Sequence, residues 1–431
     1  MCQGFLGASV AQPGMKFLFI HHSFPSQYWH IVRLLRDNGH EVVFITRPTD
    51  QQMHNVRKVD HDFDMAMNDD VHPGARHYDL ALRRADAMAR LASGLKKTGY
   101  RPDIILGHHG WGDLLNLQDV WPDVPLLGYF EFYYQSQEVN FDPEFDRGPY
   151  AWRWQRATNA VNHLALANPG MGQIPTEFQL STYPPEFRKR ITLIREGIDL
   201  SLFSPDPAIR NAPLPLAEVV RDPALRSAAC IAPSEKLVTY INRFLEPCRG
   251  LHIMMRALPA LLARKDVRVV VIGAEAEGYG PLPEDGRSWK QHFLDEMRGR
   301  YDAGRVHFVG VIDHDAYRRL LRRSDAHVYL SYPFVASWSL REALACGCAV
   351  VGSDTAPIAE FIRHGRNGLL APFFDPRALS ETILEVLEDD WLDGHIRDNA
   401  RAYAERHLSM SKYLATYCKT IRTLTPPRSA Q

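Results

Sequence analysis

A short apolar run that breaks into a polar loop and then an amphipathic helix recurs along both halves of this chain. That rhythm limits the fold more than any other feature. The pattern is set by "MKFLFIHHSFPSQYWHIVRLLRDNGHEVVFIT". Phe17 to Ile20 reads as a strand, the next helix carries Ile31, Val32, Leu34 and Leu35, Gly39 closes it, and "EVVFIT" is the following strand. "PDIILGHHGWGD" repeats the logic, its strand at Ile104 to Leu106 delivering His108 and His109 at the C-terminal end. "VPLLGYFEFYY" and "RITLIREGIDLSLFSP" add two shorter apolar runs. The alternation restarts with "LVTYINR", a helix around "LHIMMRALPALLAR", the strands "VRVVVIG", "VHFVG", "AHVYLS" and "CAVVGS", and a last helix near Leu379 to Leu387. The expected class is α/β, with two Rossmann-like domains facing a central cleft.

At 431 residues the chain is too long for one small core. The proline-rich stretch from Ser204 to Lys236 reads as the linker, giving domains at 15–203 and 237–405. Residues 406–431 read as a helix and tail that pack back on the first domain. Residues 1–14 have neither a basic start nor a hydrophobic segment, so they read as a disordered extension ahead of Met15 and not as a signal peptide. Net charge is -1, which argues against nucleic-acid binding driven by bulk charge. The basic run "RRLLRR", Arg318 to Arg323, reads as a solvated helix face. No apolar stretch is long enough to span a bilayer. Cys2, Cys230, Cys248, Cys346, Cys348 and Cys418 show no zinc or disulfide spacing. Cys346 and Cys348 read as two buried thiols around a helix-capping glycine, as suits a reducing cytoplasm.

Three motifs stand where strands end and helices begin, which is where open α/β sheets bind ligands. In "PFVASWSLREALACG", Pro333 to Gly347, a helix starting near Ser339 offers free N–H groups and a positive dipole end to a phosphate, with Ser337 and Ser339 as added donors. The same segment is also a capping box, with Glu342 folding back on the cap residue's N–H. In "INRFLEPCRGLHIMMRAL", Arg243 and Arg249 fit a diphosphate clamp, with Gly250 letting the backbone come close. The bland reading is a pair of surface arginines, one bonded to Glu246. In "GHHGWGD", a histidine at the strand end suits a polarising role, or else is a satisfied side chain packed on Trp111. His21 and His22 bring four histidines into view, but neither pair has the i, i+4 spacing of a metal site on a helix, and no acidic ligand has an obvious place.

These motifs in this order resemble retaining glycosyltransferases of family 4, which have the two-domain GT-B fold. The likeness runs from Met15 to about Leu424. In the second half it is carried by "INRFLEPCRGLHIMMRALP", "VVVIGAE", "VHFVGVI", "YLSYPFVASWSLREALACGCAVVGSD" and "APIAEFIRHGRNGLLAP". In the first half it is carried by "HHSFPSQYWHIVRLLRDNGHEV", "GHHGWGD" and "LLGYFEFYY", which look like a bacterial subgroup. The resemblance implies that Arg243 and Arg249 grip the donor diphosphate beside Gly250, and that Glu342 holds the ribose. It implies that the helix start, Ser337, Trp338, Ser339 and Leu340, meets the phosphates, and that Gly310 to Ile312, Val311 included, borders the base. Pro25, Ser26 and Gln27 would face the diphosphate from the first domain. His108 would stand near the donor sugar and, with Glu342, form the catalytic set. One departure is clear: where the family has its first glutamate, which contacts a donor-sugar hydroxyl, this chain has Phe334, so that contact is lost or supplied elsewhere.

The function so implied is a retaining, metal-independent transfer of a sugar from a nucleotide-diphosphate sugar to a glycan or lipid-linked acceptor, in bacterial glycan or polysaccharide biosynthesis. No cofactor is implied beyond the nucleotide sugar as co-substrate. The enzyme would be cytoplasmic, with peripheral contact at the inner face of the membrane. The rival readings are a non-catalytic sugar-nucleotide-binding protein and a nucleotide-sugar epimerase on the same fold.

Overall fold

The computed structural model describes residues 14–63, 66–136, 140–145, 149–168, 170–220 and 229–426. The extension expected ahead of Met15 lies outside them except for Gly14, and so does Cys2. The chain divides into two compact units, one of residues 1–197 and 411–431, the other of residues 198–410.

The first unit is built on seven strands: β1 (Lys16–Ile20), β2 (Glu41–Thr46), β3 (Arg57–Asp60), β4 (Ile104–His108), β5 (Leu126–Tyr129), β6 (Met171–Ile174) and β7 (Ile191–Leu193). They lie in the order β3-β2-β1-β4-β5-β6-β7, every pair parallel. A parallel sheet of this kind is covered on both faces, and the alternation along β1 shows how. Phe17 and Phe19 join a core with Ile31, Val32 and Leu35 of the Trp29–Asp37 helix. Leu18 and Ile20 join the opposite core with Met88, Ala92 and Leu95 of the Arg76–Lys97 helix. The Met410–Leu424 helix belongs to this unit, and its Tyr417, Cys418 and Ile421 sit in the same core as Phe17. Gln173 of β6 donates to the Tyr417 hydroxyl at 3.1 Å.

The second unit starts with a small antiparallel ribbon, β8 (Leu214–Pro215) and β9 (Cys230–Ile231). Its main sheet holds β10 (Lys236–Phe244), β11 (Val267–Ala274), β12 (Val306–Phe308), β13 (Ala326–Tyr329), β14 (Val350–Ser353) and β15 (Leu369–Ala371). The order is β12-β11-β10-β13-β14-β15, again all parallel.

Three expectations change here. The stretch 204–236 is not a linker: Leu214, Leu216, Val219, Val220 and Ile231 are buried in the second unit's core beside Leu320 and Leu344, and the chain changes units at Gly197. The basic run is not a solvated face either. Arg323 is 1% exposed, pairs with Asp325 at 2.8 Å and donates to the carbonyls of Ala212, Ala232 and Glu235, while Arg322 donates to the Ser204 carbonyl. The run therefore staples the proline-rich segment to the sheet. Finally, the C-terminal helical pattern is two helices, Asp390–His407 and Met410–Leu424. At the break between them the Ile198 N–H donates to the Leu408 carbonyl and the Met410 N–H to the Ile198 carbonyl, and the chain returns to the first unit.

Each strand order reverses once, between β1 and β4 in the first unit and between β10 and β13 in the second. Beyond the carboxyl ends of the strands at such a reversal, the connecting loops part and leave a crevice for ligands. Every motif singled out above follows one of these strands or ends it, apart from Val311 after β12.

Candidate functional site

In the second unit β10 leads into the turn Pro247–Arg249 and then Gly250. Gly250 has φ +74°, and a Cβ there would stand 2.5 Å from Leu330 Cβ. Both the positive φ and the packing on Leu330 call for glycine here. Arg249 was expected at the surface, but it is 4% exposed. Its Nη1 donates to Ser331 Oγ at 2.8 Å and to the Val335 carbonyl at 3.0 Å, while its own carbonyl accepts the Tyr240 hydroxyl at 2.6 Å. The guanidinium carbon lies 4.9 Å from the Tyr279 ring centroid and 5.8 Å from that of Phe334. No carboxylate among the described residues forms an ion pair with it. Arg243, by contrast, is exposed and lies over the Phe244 ring.

The helix after β13 spans Trp338–Ala345 with Ser337 as its cap. The expected capping box is absent. The cap N–H of Ser337 donates to the Tyr329 hydroxyl at 2.7 Å, and the Glu342 carboxylate accepts the Tyr317 hydroxyl at 2.7 Å. With its cap satisfied from the strand, the helix starts one residue before Ser339 and leaves Glu342 free of a capping duty. Burial pushes the Glu342 carboxyl above its usual range, against the pull of the Tyr317 hydroxyl. Ser337 and Ser339 join their hydroxyls at 2.5 Å. Leu340 is fully buried in the core, so only its backbone remains for a ligand, and the first-turn N–H groups have no acceptor within the helix. Trp338 and Val311 are 42% and 67% exposed. Tyr317 and Ser331 were not singled out from the sequence. A tyrosine on an amphipathic helix and a serine at a strand end carry no local signal, since only the fold brings them to Glu342 and Arg249.

In the first unit His108 ends β4 and is 2% exposed. Its ring stacks on Trp111 with centroids 3.9 Å apart at 9°. Nδ1 accepts the Gly110 N–H at 3.0 Å, which places the ring proton on Nε2, 3.6 Å from Glu131 Oε2. His21, after β1, turns its Nδ1 to the Ser23 backbone, 2.9 Å from the carbonyl oxygen and 3.0 Å from the nitrogen, and burial first, then His108, lowers its pKa to about 3. His21 and His22 both pack on Trp111, at 5.0 and 4.1 Å. His109 turns to the other face of the sheet, over Gly128 and Phe130, and burial lowers its pKa to about 3. Pro25 is buried, and Ser26 and Gln27 begin the turn that carries Tyr28, whose ring lies 6.0 Å from His21. Three histidines and Trp111 are thus brought together, and His109 is not. No group of three or more His, Cys, Asp or Glu side chains among the described residues is arranged to hold a metal.

Asp113 closes this loop as a buried carboxyl, 4% exposed, with no bond to its Oδ2. Burial pushes its pKa up to about 6, against the pull of Arg84. A folded-state value above the unfolded one means the folded chain holds the proton more tightly, so stability is full below the unfolded value and falls as pH rises through about 6. Asp113→Asn should remove that fall and raise the melting temperature at pH 7.5, by an amount equivalent to about 2–3 kcal/mol. Thermal melts at pH 4.5 and 7.5 check this, and an unchanged pH dependence would contradict it.

Two parallel-sheet units of this kind on one chain define the GT-B class, and solved structures share the fold. Sucrose-phosphate synthase from Thermosynechococcus elongatus matches with a TM-score of 0.69 at 18% identity, covering 95% of this chain and 99% of that one. Anabaena HepE in complex with UDP and glucose matches with a TM-score of 0.64 at 17% identity, covering 95% and 100%. Within that class, the family model described as Glycosyl transferase family 4 group matches residues 38–203, and the one described as Glycosyl transferases group 1 matches residues 235–389. With both domains matched, the chain is a GT-B glycosyltransferase of the family 4-like type. Phosphatidyl-myo-inositol mannosyltransferase of Mycolicibacterium smegmatis is 32% identical over 164 residues, 36% of this chain and 37% of that protein. N-acetyl-alpha-D-glucosaminyl L-malate synthase of Bacillus anthracis is 25% identical over 187 residues, 43% and 45%. The matched segments therefore span less than half of these relatives. No helix among the described residues is long and apolar enough to cross a membrane.

Proposed function

We propose that this chain transfers a sugar from a nucleotide-diphosphate sugar to a glycan or lipid-linked acceptor, with retention at the anomeric carbon and without a metal ion. The observation that carries the reading is Arg249. A buried guanidinium normally has a carboxylate partner, because an unpaired buried charge is costly. This one has none among the described residues, and it touches the loop that leads into a helix N-terminus. Such a place is suited to an anion. The diphosphate is the leaving group, so the charge that grows on it as the glycosidic bond breaks meets a cation and a helix dipole already in position. Arg243 is an exposed second cation, and Glu342, with Tyr317 on its carboxylate, is the acceptor for the ribose hydroxyls. His108, in the first unit, is assigned a part in the transfer step, with its ring proton held on Nε2. A relative's name, phosphatidyl-myo-inositol mannosyltransferase, lends support to a lipid-linked acceptor, reached by peripheral contact at the inner face of the membrane.

Phe334, which cannot accept a hydrogen bond from a sugar hydroxyl, favours one rival: a protein that binds the nucleotide sugar and transfers nothing. Incubation with UDP- and GDP-sugars, with and without acceptor extract, separates the two. Acceptor-dependent release of nucleoside diphosphate is the expected result. Binding without release in either condition would defeat catalysis.

For Glu342, removing its charge by Glu342→Gln should weaken nucleoside diphosphate binding about tenfold, the share of one hydrogen bond to a charged group. Tyr317→Phe, which frees the carboxylate, should leave affinity intact or improve it. Calorimetric titration with UDP and GDP checks the pair, and a Gln variant that binds as tightly as the wild type would end the ribose role.

A further inference from the structure

Large exposed apolar side chains gathered in one place mark a binding surface. In the second unit four of them follow strands of the main sheet, Tyr279 after β11, Val311 after β12, Trp338 after β13 and Phe374 after β15, and of these Tyr279 packs on a second ring. Two rings there form a built arrangement. Tyr279, 47% exposed, meets Phe334 edge to face with centroids 5.0 Å apart, and both lie on the guanidinium of Arg249. The loops after β11, β10 and β13, three neighbours in the sheet, converge on this point.

The loop that carries Tyr279 is held from below. Glu246 is 1% exposed, and its carboxylate accepts the N–H groups of Tyr279 at 3.0 Å and Gly280 at 3.1 Å. Gly278 passes so close that a Cβ there would stand 2.7 Å from Glu246 Oε1. On the other side the Tyr332 N–H donates to the Cys248 carbonyl at 2.9 Å, fixing the Phe334 loop to the Arg249 turn. An exposed aromatic held this firmly offers a rigid flat surface at little entropic cost.

We propose that Tyr279 and Phe334 form an aromatic platform for the sugar ring of the donor, which lays a C–H face on the rings while Arg249 holds the phosphate joined to its anomeric carbon. Glu246 is the positioning residue that sets Tyr279. This rests on the nucleotide-sugar reading above. The rings touch Arg249, whereas Glu342 is engaged with Tyr317 on the Asp313-capped helix His314–Arg323. With the ribose at Glu342, the base beside Val311 and the phosphates at Arg249, the group left for the rings is the sugar. The rings themselves offer nothing to a sugar carboxylate, and Arg249 beside them is taken by the phosphate, so the donor sugar is an uncharged one.

Calorimetry on the full chain tests this with UDP, GDP, UDP-glucose, GDP-mannose and UDP-glucuronate. Tyr279→Ala should weaken whichever neutral conjugate the wild type binds by about tenfold more than it weakens the bare nucleoside diphosphate, the scale of one aromatic contact, since the diphosphate feels only the loss of the ring beside Arg249. Tyr279→Phe should restore binding, and Glu246→Gln should weaken the conjugate selectively. Because Tyr279 is half exposed, its truncation tests the idea even where Phe334→Ala unfolds. Equal loss for conjugate and bare diphosphate would place a base or phosphate on the rings and overturn the proposal. So would no loss for either, or a preference for the glucuronate. A wild type that binds none of the five defeats the nucleotide-sugar reading itself.

Discussion

Arg249→Ala should lose about a hundredfold in affinity for nucleoside diphosphate, the largest binding effect expected of any single side chain here. Hydrogen bonds to charged groups contribute about 1.5–3 kcal/mol each, and a guanidinium can offer two to a phosphate. Burial makes them stronger still, since no water competes at a side chain that is 4% exposed. The fold should survive the change. In most buried sites, removing an arginine strands its carboxylate, but this one has no such partner among the described residues, so no charge is left behind. What is stranded is Ser331 Oγ and the Val335 carbonyl, neutral groups whose loss of a donor should cost about 1–3 kcal/mol of stability. Arg249→Lys keeps the charge but not the fork, and should recover only part of the affinity. Calorimetry with UDP and GDP beside a thermal melt separates the two quantities. An alanine variant that melts earlier yet binds normally would make Arg249 a packing residue.

The sheets were the most legible part of the molecule, because a strand buried on both faces must be a continuous apolar run, as in "FLFI" and "RVVVIG". The placement of the motifs followed from those runs, since a loop after a strand has only one end of the sheet to occupy. What misled was local chemistry whose partners are far away in sequence. "SLRE" satisfies the pattern of a capping box, yet Tyr329 from the preceding strand takes the cap N–H and Tyr317 takes the glutamate. Proline density in 204–236 signals short elements, and nothing in it shows that Arg323, about a hundred residues later in the chain, reaches back to its carbonyls. Gly250 was readable as special, but part of the reason, Leu330 pressed against it, depends on β13 lying beside β10. Glu246 looked like a surface partner for an arginine. It is instead a buried anchor for two backbone amides, a role that no sequence spacing encodes.

His108→Ala tests catalysis as distinct from binding, and should lower transfer by about two orders of magnitude or more, while nucleoside diphosphate binds nearly as before. The argument runs from the ring's tautomer. With Nδ1 committed to the Gly110 N–H, the proton sits on Nε2, and Trp111 stacked on the ring fixes its direction. A donor fixed in this way costs no reorganisation when charge develops, so it acts on the transition state more than on the ground state. Turnover should therefore fall with little change in affinity, which is the mark of an interaction made only at the barrier. Two companions guard against a packing explanation. His109→Ala removes an equally buried imidazole that faces Phe130 on the other side of the sheet; it should cost stability and leave turnover per folded molecule largely intact. Trp111→Phe keeps an aromatic face over His108 and should retain more activity than Trp111→Ala, which frees the ring. Single-turnover measurements on folded protein read all of these, and full transfer by the His108 variant would return the histidine to a purely structural place on Trp111.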